Sequence, residues 1–265
     1  MWRKDNLVDT VTQRVLEDAG DVTRVMADLN AVCETGGRFA GTESEVLARE
    51  YLAKRLEDIA DLAPERMPIE DMGWTRGEAF IERISDGKVF PCVSLVRSPE
   101  TSEDGIVADL IDIGRGTEAD FETYADAISG NLVMVRHEYM FSAETTHRRR
   151  KYDWAIERGA AGFLIASHLS GDFPVTGSSG AIPTRGIPAA GISAKTAASL
   201  IAGDKKQIKI QIEAKSEPRR IENLILDIPG RNDEWVVLSA HIDGHHLSES
   251  AMDNGTGLAA VLNAL

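Results

Sequence analysis

The sequence predicts an α/β protein with a strand-rich stretch inserted into it. Three observations carry this. The first sixty residues have apolar side chains at helical spacing. From Val89 to Ile212 short apolar runs alternate with glycine- and proline-rich turns. After residue 216 the chain reads strand, turn, strand, loop, helix.

The chain has 265 residues, 43% hydrophobic and 27% charged, enough apolar material for a core in one large or two smaller domains. Its formal net charge of −14 sets it against phosphate backbones and anionic membranes, so neither nucleic acid nor membrane is an expected partner. Two cysteines, Cys33 and Cys92, do not make a disulfide framework and read as free thiols. No signal-peptide core and no membrane-length apolar run is present, so the expected location is cytoplasmic.

Leu7, Val8, Val11, Val15 and Leu16, then Val22, Val25, Met26, Leu29 and Val32, predict two helices separated by Gly20. A glycine-punctuated loop, Gly36 to Gly41, follows. Thr42 and Glu45 have capping-box spacing for a third helix, with Leu47, Tyr51, Leu52 and Leu56 on its apolar face. Between Pro64 and Pro91, prolines and glycines predict short pieces. Strands are expected at Val89 to Val96, Ile106 to Ile113 and Leu132 to Val135, and a helix from Arg150 to Arg158 leads into the buried-looking run Ala160 to Ala166. Residues 170–191 read as loop, Ala194 to Ile201 as a short helix and Ile208 to Ile212 as a strand. The polar segment Lys215 to Arg220 reads as a linker, with strands Asn223 to Ile228 and Trp235 to Ala240 and a helix from Thr256 beyond it.

The densest chemistry lies near the C-terminus. The apolar Val236-Val237-Leu238 leads to His241 and Asp243, and Asp253-Asn254 stands before a glycine-flanked helix start. Imidazole nitrogen and carboxylate oxygen both ligate zinc. A histidine on a metal usually gives its other N–H to a carboxylate. Strand alternation puts His241 and Asp243 on one side, so Asp243 is placed to orient His241. Asp253 arrives on a separate loop, where Gly255 and Gly257 permit close backbone approach.

Ala240-His241-Ile242-Asp243-Gly244, followed by Ala251-Met252-Asp253-Asn254-Gly255-Thr256-Gly257, resembles the two-zinc exopeptidases that include bacterial leucyl aminopeptidases and glutamate carboxypeptidase. Arg38-Phe39-Ala40-Gly41-Thr42 resembles that family's early R-x-x-G-[ST] loop. Gly116 to Phe121, the strand after Gly130, Ala160 to Ile165 and Gly186 to Ser193 together look like an inserted protease-associated domain. The resemblance implies a partial three-layer αβα peptidase domain at residues 1–88 and 216–265, with the protease-associated domain at 89–215. It implies His241 and Asp253 as zinc ligands, Asp253 bridging two ions, and Asp243 as the catalytic-site residue that orients His241. Asn254 would follow at a peptide bond that the family often holds cis.

The implied activity is hydrolysis of peptides by metal-activated water, one residue at a time. An aminopeptidase is favoured, with carboxypeptidase left open. The implied substrate is a peptide, and the inserted domain leaves room for oligomerisation. The family's later elements, a glutamate pair, a further acid and a final histidine, do not follow in these 265 residues. The expectation is therefore a chain truncated after its first metal-ligand motifs and inactive alone. The competing reading is a non-catalytic interaction module built on the protease-associated domain.

His245, His246 and Glu249 read as loop or pocket rim rather than ligands. The basic cluster His147 to Lys151 reads as a solvated helix start or salt-bridge surface. Ser178 and Ser179 lack the G-x-S-x-G setting of a serine nucleophile.

Overall fold

A computed structural model describes residues 10–180, 186–202 and 206–265, and the side chains of residues 10 and 11 are not among what it describes. Leu7, Val8 and Val11 of the first expected helix face and Pro183 of the expected loop lie outside that description. The chain forms two compact units, residues 1–73 with 218–265 and residues 74–217. The elements in order are α1 (Thr10–Ala19), α2 (Val22–Glu34), α3 (Glu43–Ala60), β1 (Glu65–Arg83), β2 (Lys88–Pro91), β3 (Val93–Ser94), β4 (Ile106–Asp112), α4 (Glu118–Thr123), α5 (Ala125–Ile128), β5 (Leu132–Arg136), α6 (Arg148–Glu157), β6 (Gly162–Ala166), β7 (Ala189–Ile192), α7 (Ala194–Ile201), β8 (Gln207–Ile225) and α8 (Thr256–Ala264). No helix among the described residues is long and apolar enough to cross a membrane.

In the unit of residues 74–217, β4, β5, β6 and β7 run parallel. β3 joins β7 antiparallel and β8 joins β4 antiparallel. β6 and β7 are buried along their whole length, as expected of parallel strands covered on both faces. Alternate residues feed two cores. Leu132, Met134, Leu164, Ala190 and Ile192 pack on one face with Leu200 of α7. Val133, Val135, Phe163 and Ile165 pack on the other with Phe121 of α4 and Tyr152 and Trp154 of α6. The short α4 has a complete capping box: Thr117 accepts from the Asp120 N–H, and Asp120 accepts from the Thr117 N–H.

The strand readings need four corrections. The stretch expected to break after Pro64 is one 19-residue strand, β1. Its glycines do not make turns. A Cβ on Gly77 would lie 2.6 Å from Cβ of Glu213 and 2.9 Å from its carbonyl oxygen, so that glycine marks close approach of another chain segment. Second, the expected linker Lys215 to Arg220 lies inside β8, which also carries the Ile208 to Ile212 strand and ends at Ile225 rather than Ile228. Its polar side chains suit a ribbon with exposed faces, and Arg66 of β1 meets Glu222 of β8 at 3.3 Å. Third, the expected strand Val89 to Val96 divides at Cys92. β2 pairs with β1, whereas β3 pairs with β7. Fourth, β7, made mostly of small residues, emerges from the end of the stretch read as loop.

The other unit is mainly helical. Its core holds Val32 of α2, Leu52 of α3, and Leu258 and Leu262 of α8. The buried carboxylate of Asp28 ties three helices together. It accepts from Tyr51 at 2.5 Å, from Arg55 at 2.7 and 3.1 Å, and from Asn263 at 3.1 Å. Burial opposes ionisation of Asp28, and the Arg55 and Tyr51 hydrogen bonds outweigh it, so its carboxyl sits below the usual range. Burial, with the acceptor Asp28 beside it, pushes the Tyr51 hydroxyl up to about 12.

Gly20 does separate the first two helices, but Val15, Leu16, Val22 and Met26 are exposed. Leu47, expected on the apolar face of α3, is also exposed, because the buried stripe runs through Glu45, Ala48, Arg49, Leu52 and Ala53. Thr42 caps α3 by accepting from the Glu45 N–H. Glu45 itself accepts from the N–H of Gly41 rather than Thr42, so the box is displaced by one residue. The expected strand Trp235 to Ala240 does not form and has no ladder partner among the described residues. Trp235, Val236 and Val237 are 77%, 87% and 80% exposed, which leaves their apolar surface uncovered.

Candidate metal centre

The three sequence-selected residues come together. His241 Nδ1 is 3.0 Å from a carboxylate oxygen of Asp243, and His241 Nε2 is 3.0 Å from Oδ1 of Asp253. The imidazole thus lies between two carboxylates, one on each ring nitrogen. The Asp253–Asn254 peptide bond is cis, as the resemblance implied. Asp253 and Asn254 have non-helical backbone angles within the turn Ala251–Gly255 that opens α8.

Alternation survives at His241 although no ladder forms there. Ala240 and Ile242 pack against the core of Val32, Leu52, Leu258 and Leu262. The intervening His241 and Asp243 are half exposed. Two glycines allow the loop to close. A Cβ on Gly244 would lie 2.6 Å from Cβ of Ser250, and one on Gly257 would lie 2.2 Å from Oδ1 of Asn254.

The loop is pinned by Arg38, whose side chain is fully buried. Its Nε donates to the carbonyl of Ile242 at 3.1 Å, Nη1 to that of Glu249 at 2.7 Å, and Nη2 to that of Ser250 at 2.9 Å. The N–H of Gly244 donates back to the Arg38 carbonyl at 2.6 Å. One planar guanidinium therefore fixes both ends of the loop that separates His241 from Asp253. Burial lowers the Arg38 pKa, partly opposed by Cys33 and by Asp243, whose negative charge favours the cation. The sequence flagged Arg38 only as part of a motif. Its role was not legible because its partners are backbone carbonyls, which no residue type announces.

His245 and His246 stack at 5.4 Å, and His246 meets the Phe39 ring edge-on at 5.3 Å. Among the described residues no group of three histidine, cysteine, aspartate or glutamate side chains is placed to hold a metal ion. His245, His246 and Glu249 thus do not extend the pair. The His241 and Asp253 donors themselves fit a metal. Two ligand atoms, each about 2.0–2.2 Å from one tetrahedral zinc, lie about 3.3–3.6 Å apart. The observed 3.0 Å separation is close to that. Nδ1 engaged by a carboxylate leaves Nε2 as the ligating atom.

The basic cluster is a helix start with exposed His147, Arg149 and Arg150, and one buried member, Lys151, in an ion pair. His147 caps α6, Arg150 lies over the Trp154 ring, and the buried Lys151 pairs with Glu138 at 2.6 Å.

A histidine between two carboxylates is a donor arrangement of the kind that metal sites use. Residues 223–265 match Peptidase family M28, and residues 94–200 match the PA domain. The chain is 24% identical over 193 residues to "Leucine aminopeptidase 2" of Trichophyton equinum, and equally so to that of Trichophyton tonsurans, covering 71% of this chain and 36% of each relative. The chain thus spans about a third of the length of these curated relatives. Its fold is similar to a peptidase M28 precursor from Shewanella amazonensis SB2B, with TM-score 0.73 and 22% identity over 92% of this chain and 60% of that one. It is also similar to the zinc aminopeptidase BSAP from Bacillus subtilis, with TM-score 0.66 and 20% identity over 91% of this chain and 56% of that one.

Proposed function

We propose that this chain supplies the first ligands of a zinc-dependent exopeptidase, most readily an aminopeptidase. His241 Nε2 and Asp253 would hold zinc, Asp253 shared with a second ion, and Asp243 would fix the His241 ring. The observation that carries this reading is the 3.0 Å approach of His241 Nε2 and Asp253 on a loop pinned by Arg38. The similarity to leucine aminopeptidases and to the Bacillus subtilis zinc aminopeptidase supports the direction of cleavage and the metal. Zinc would polarise the scissile carbonyl and lower the pKa of a bound water.

The chain's own residues do the rest. Asp243 would accept Nδ1–H and so present Nε2 to the metal, and Arg38 holds the two donors in register. A catalytic zinc takes three protein ligands and a water, and hydrolysis needs a base. Among the described residues two such donors meet, so the 265 residues alone are proposed to be inactive.

Calorimetric zinc titration tests the reading. One weakly held ion is expected, lost in His241→Ala and in Asp253→Ala, with no hydrolysis of leucine p-nitroanilide. Tight uptake of two ions, or unchanged uptake by His241→Ala, would sink it. The second reading, a PA-based interaction module, is favoured by the self-contained double core of residues 74–217. Hydrolysis by a longer chain carrying His241, but not by its His241→Ala variant, would exclude it.

A further inference from the structure

The unit of residues 74–217 has a cavity that the peptidase reading does not use. It measures about 190 Å³, far above the about 10–15 Å³ that one water needs. Arg148, Lys151 and Glu138 are the charged residues lining it, and they leave one net positive charge: two cations against one carboxylate. Lys151 is spent within the fold. It donates to the carbonyls of Arg115 and Arg136 as well as to Glu138. The second oxygen of Glu138 is taken by Arg115, which is itself 58% exposed.

Arg148 is different. Its Nε donates to the Ser178 carbonyl at 2.8 Å, but no carboxylate pairs with its guanidinium among the described residues. Burial, and then the neighbouring Arg149, lower its pKa, the signature of a cation held without a counter-charge. It stands in the first turn of the ten-residue helix α6, whose N-terminal N–H groups favour an anion.

His137 also lines the cavity. Its Nδ1 lies 3.0 Å from Nδ1 of His168. Burial and then Arg148 push the His137 pKa down to about 4, so its ring is neutral at pH 7. When His168 donates to that Nδ1, the His137 proton sits on Nε2 as a further donor. Apolar groups complete the wall and mouth. Met140 and Ile165 line the cavity, and the adjoining Tyr139 and Phe141 are 57% and 80% exposed, ring against ring at 5.5 Å.

We infer that this cavity binds the carboxylate of a polypeptide C-terminus beside an apolar side chain, with Arg148 as the pairing cation and the Met140 region as the side-chain contact. A planar guanidinium edge suits a carboxylate. One net positive lining charge suits a monoanion better than the near-dianion of inorganic phosphate. The inference stands on the PA unit and is independent of the zinc reading.

The test titrates the whole chain at pH 7 with N-acetyl-leucine, N-acetyl-leucinamide and inorganic phosphate, following the His137 and His168 ring protons by NMR. N-acetyl-leucine is expected to shift both, with a dissociation constant on the order of millimolar for so small a probe. The amide and phosphate are expected to bind at least about tenfold more weakly. Arg148→Gln should weaken N-acetyl-leucine about tenfold or more, whereas Arg149→Gln, the same charge change outside the lining, should not. Met140→Glu removes no hydrogen bond and offers the cavity a carboxylate of its own, so it should also abolish binding. It decides the matter if Arg148→Gln fails to fold by circular dichroism. Equal binding of acid and amide, tighter binding of phosphate, or equal loss in Arg148→Gln and Arg149→Gln would each overturn the inference.

Discussion

Replacing Arg38 by methionine keeps a long buried side chain and removes every donor of the guanidinium. The lost loop bonds are those to Ile242, Glu249 and Ser250, at 3.1, 2.7 and 2.9 Å, and a longer one to the Val32 carbonyl at 3.4 Å goes with them. Hydrogen bonds to a charged group are each worth about 1.5–3 kcal/mol, so the gross loss is roughly 5–9 kcal/mol. Relief from burying a cation offsets several kcal/mol, and water can reach part of the loop. The net destabilisation of the loop is therefore about 2–4 kcal/mol. Amide hydrogen exchange reads it locally. The N–H of Gly244 bonds to the Arg38 carbonyl and that of Gly255 to the Ser250 carbonyl, and both bonds persist in the variant's closed state. Their exchange should accelerate about 30- to 700-fold at tenfold per 1.4 kcal/mol. Arg38→Lys should fall between, since an ammonium lacks the fork that spans two backbone segments. If Gly244 changes less than about threefold in a folded Arg38→Met chain, the guanidinium is not what holds the loop. Equal acceleration throughout β5 would point to general destabilisation instead.

Four further outcomes are expected in the unit of residues 74–217. Lys151→Met leaves Glu138 and two carbonyls without their donor and should destabilise by about 3–5 kcal/mol in thermal melts, while an unchanged melt would mean that Arg115 and water suffice. A Cβ on Gly191 would lie 1.6 Å from the Val175 carbonyl oxygen, so Gly191→Ala should cost about 3 kcal/mol or more. Gly130→Ala, with a left-handed φ but open space, should cost about 1–2 kcal/mol by the same melts. The His137 pKa of about 4 in the folded chain lies below its ordinary 6.5. The unfolded chain thus binds a proton between those values that the folded chain refuses, so stability should fall as pH drops from 6.5 to 4 and level off below. His137→Phe should flatten that part of the stability profile, and an unaltered slope would assign it to other groups.

The parts legible in the sequence were those whose information is local. Leu132 to Val135 and Gly162 to Ala166 are apolar on both faces, so they read as buried strands whatever their neighbours. Thr42 announces a helix start because a cap bonds within three residues, whereas the equally local cap at Thr117 went unread. The pairing of His241 with Asp243 was visible because two residues of extended chain return to the same side. What stayed hidden depends on distant partners. Gly77 resembles a turn signal until Glu213 is placed against it. Pro218 resembles a linker until β8 runs through it. Asp28 resembles a solvated helix acid until Tyr51, Arg55 and Asn263 converge on it from two other helices.

The same distinction explains how the candidate site is held. A side chain at a strand end usually owes its position to ladder hydrogen bonds on either side. Residues 235–240 have no such ladder among the described residues, so His241 needs another restraint. Arg38 provides it by bonding the next carbonyl, Ile242, while its other nitrogens hold Glu249 and Ser250. Asp253 follows three residues after Ser250 and leads into α8, which Asn263 anchors to Asp28. His241 is thus held by Arg38 and by the core packing of Ala240 and Ile242, Asp253 by Arg38 and the Asp28 anchor, and Arg38 serves both. Loss of the Asp28 anchor would disturb Asp253 from the helix side and leave the His241–Asp243 pair in place. Loss of Arg38 would release both donors at once. Arg38 thus sets the 3.0 Å separation on which any shared metal ion would depend.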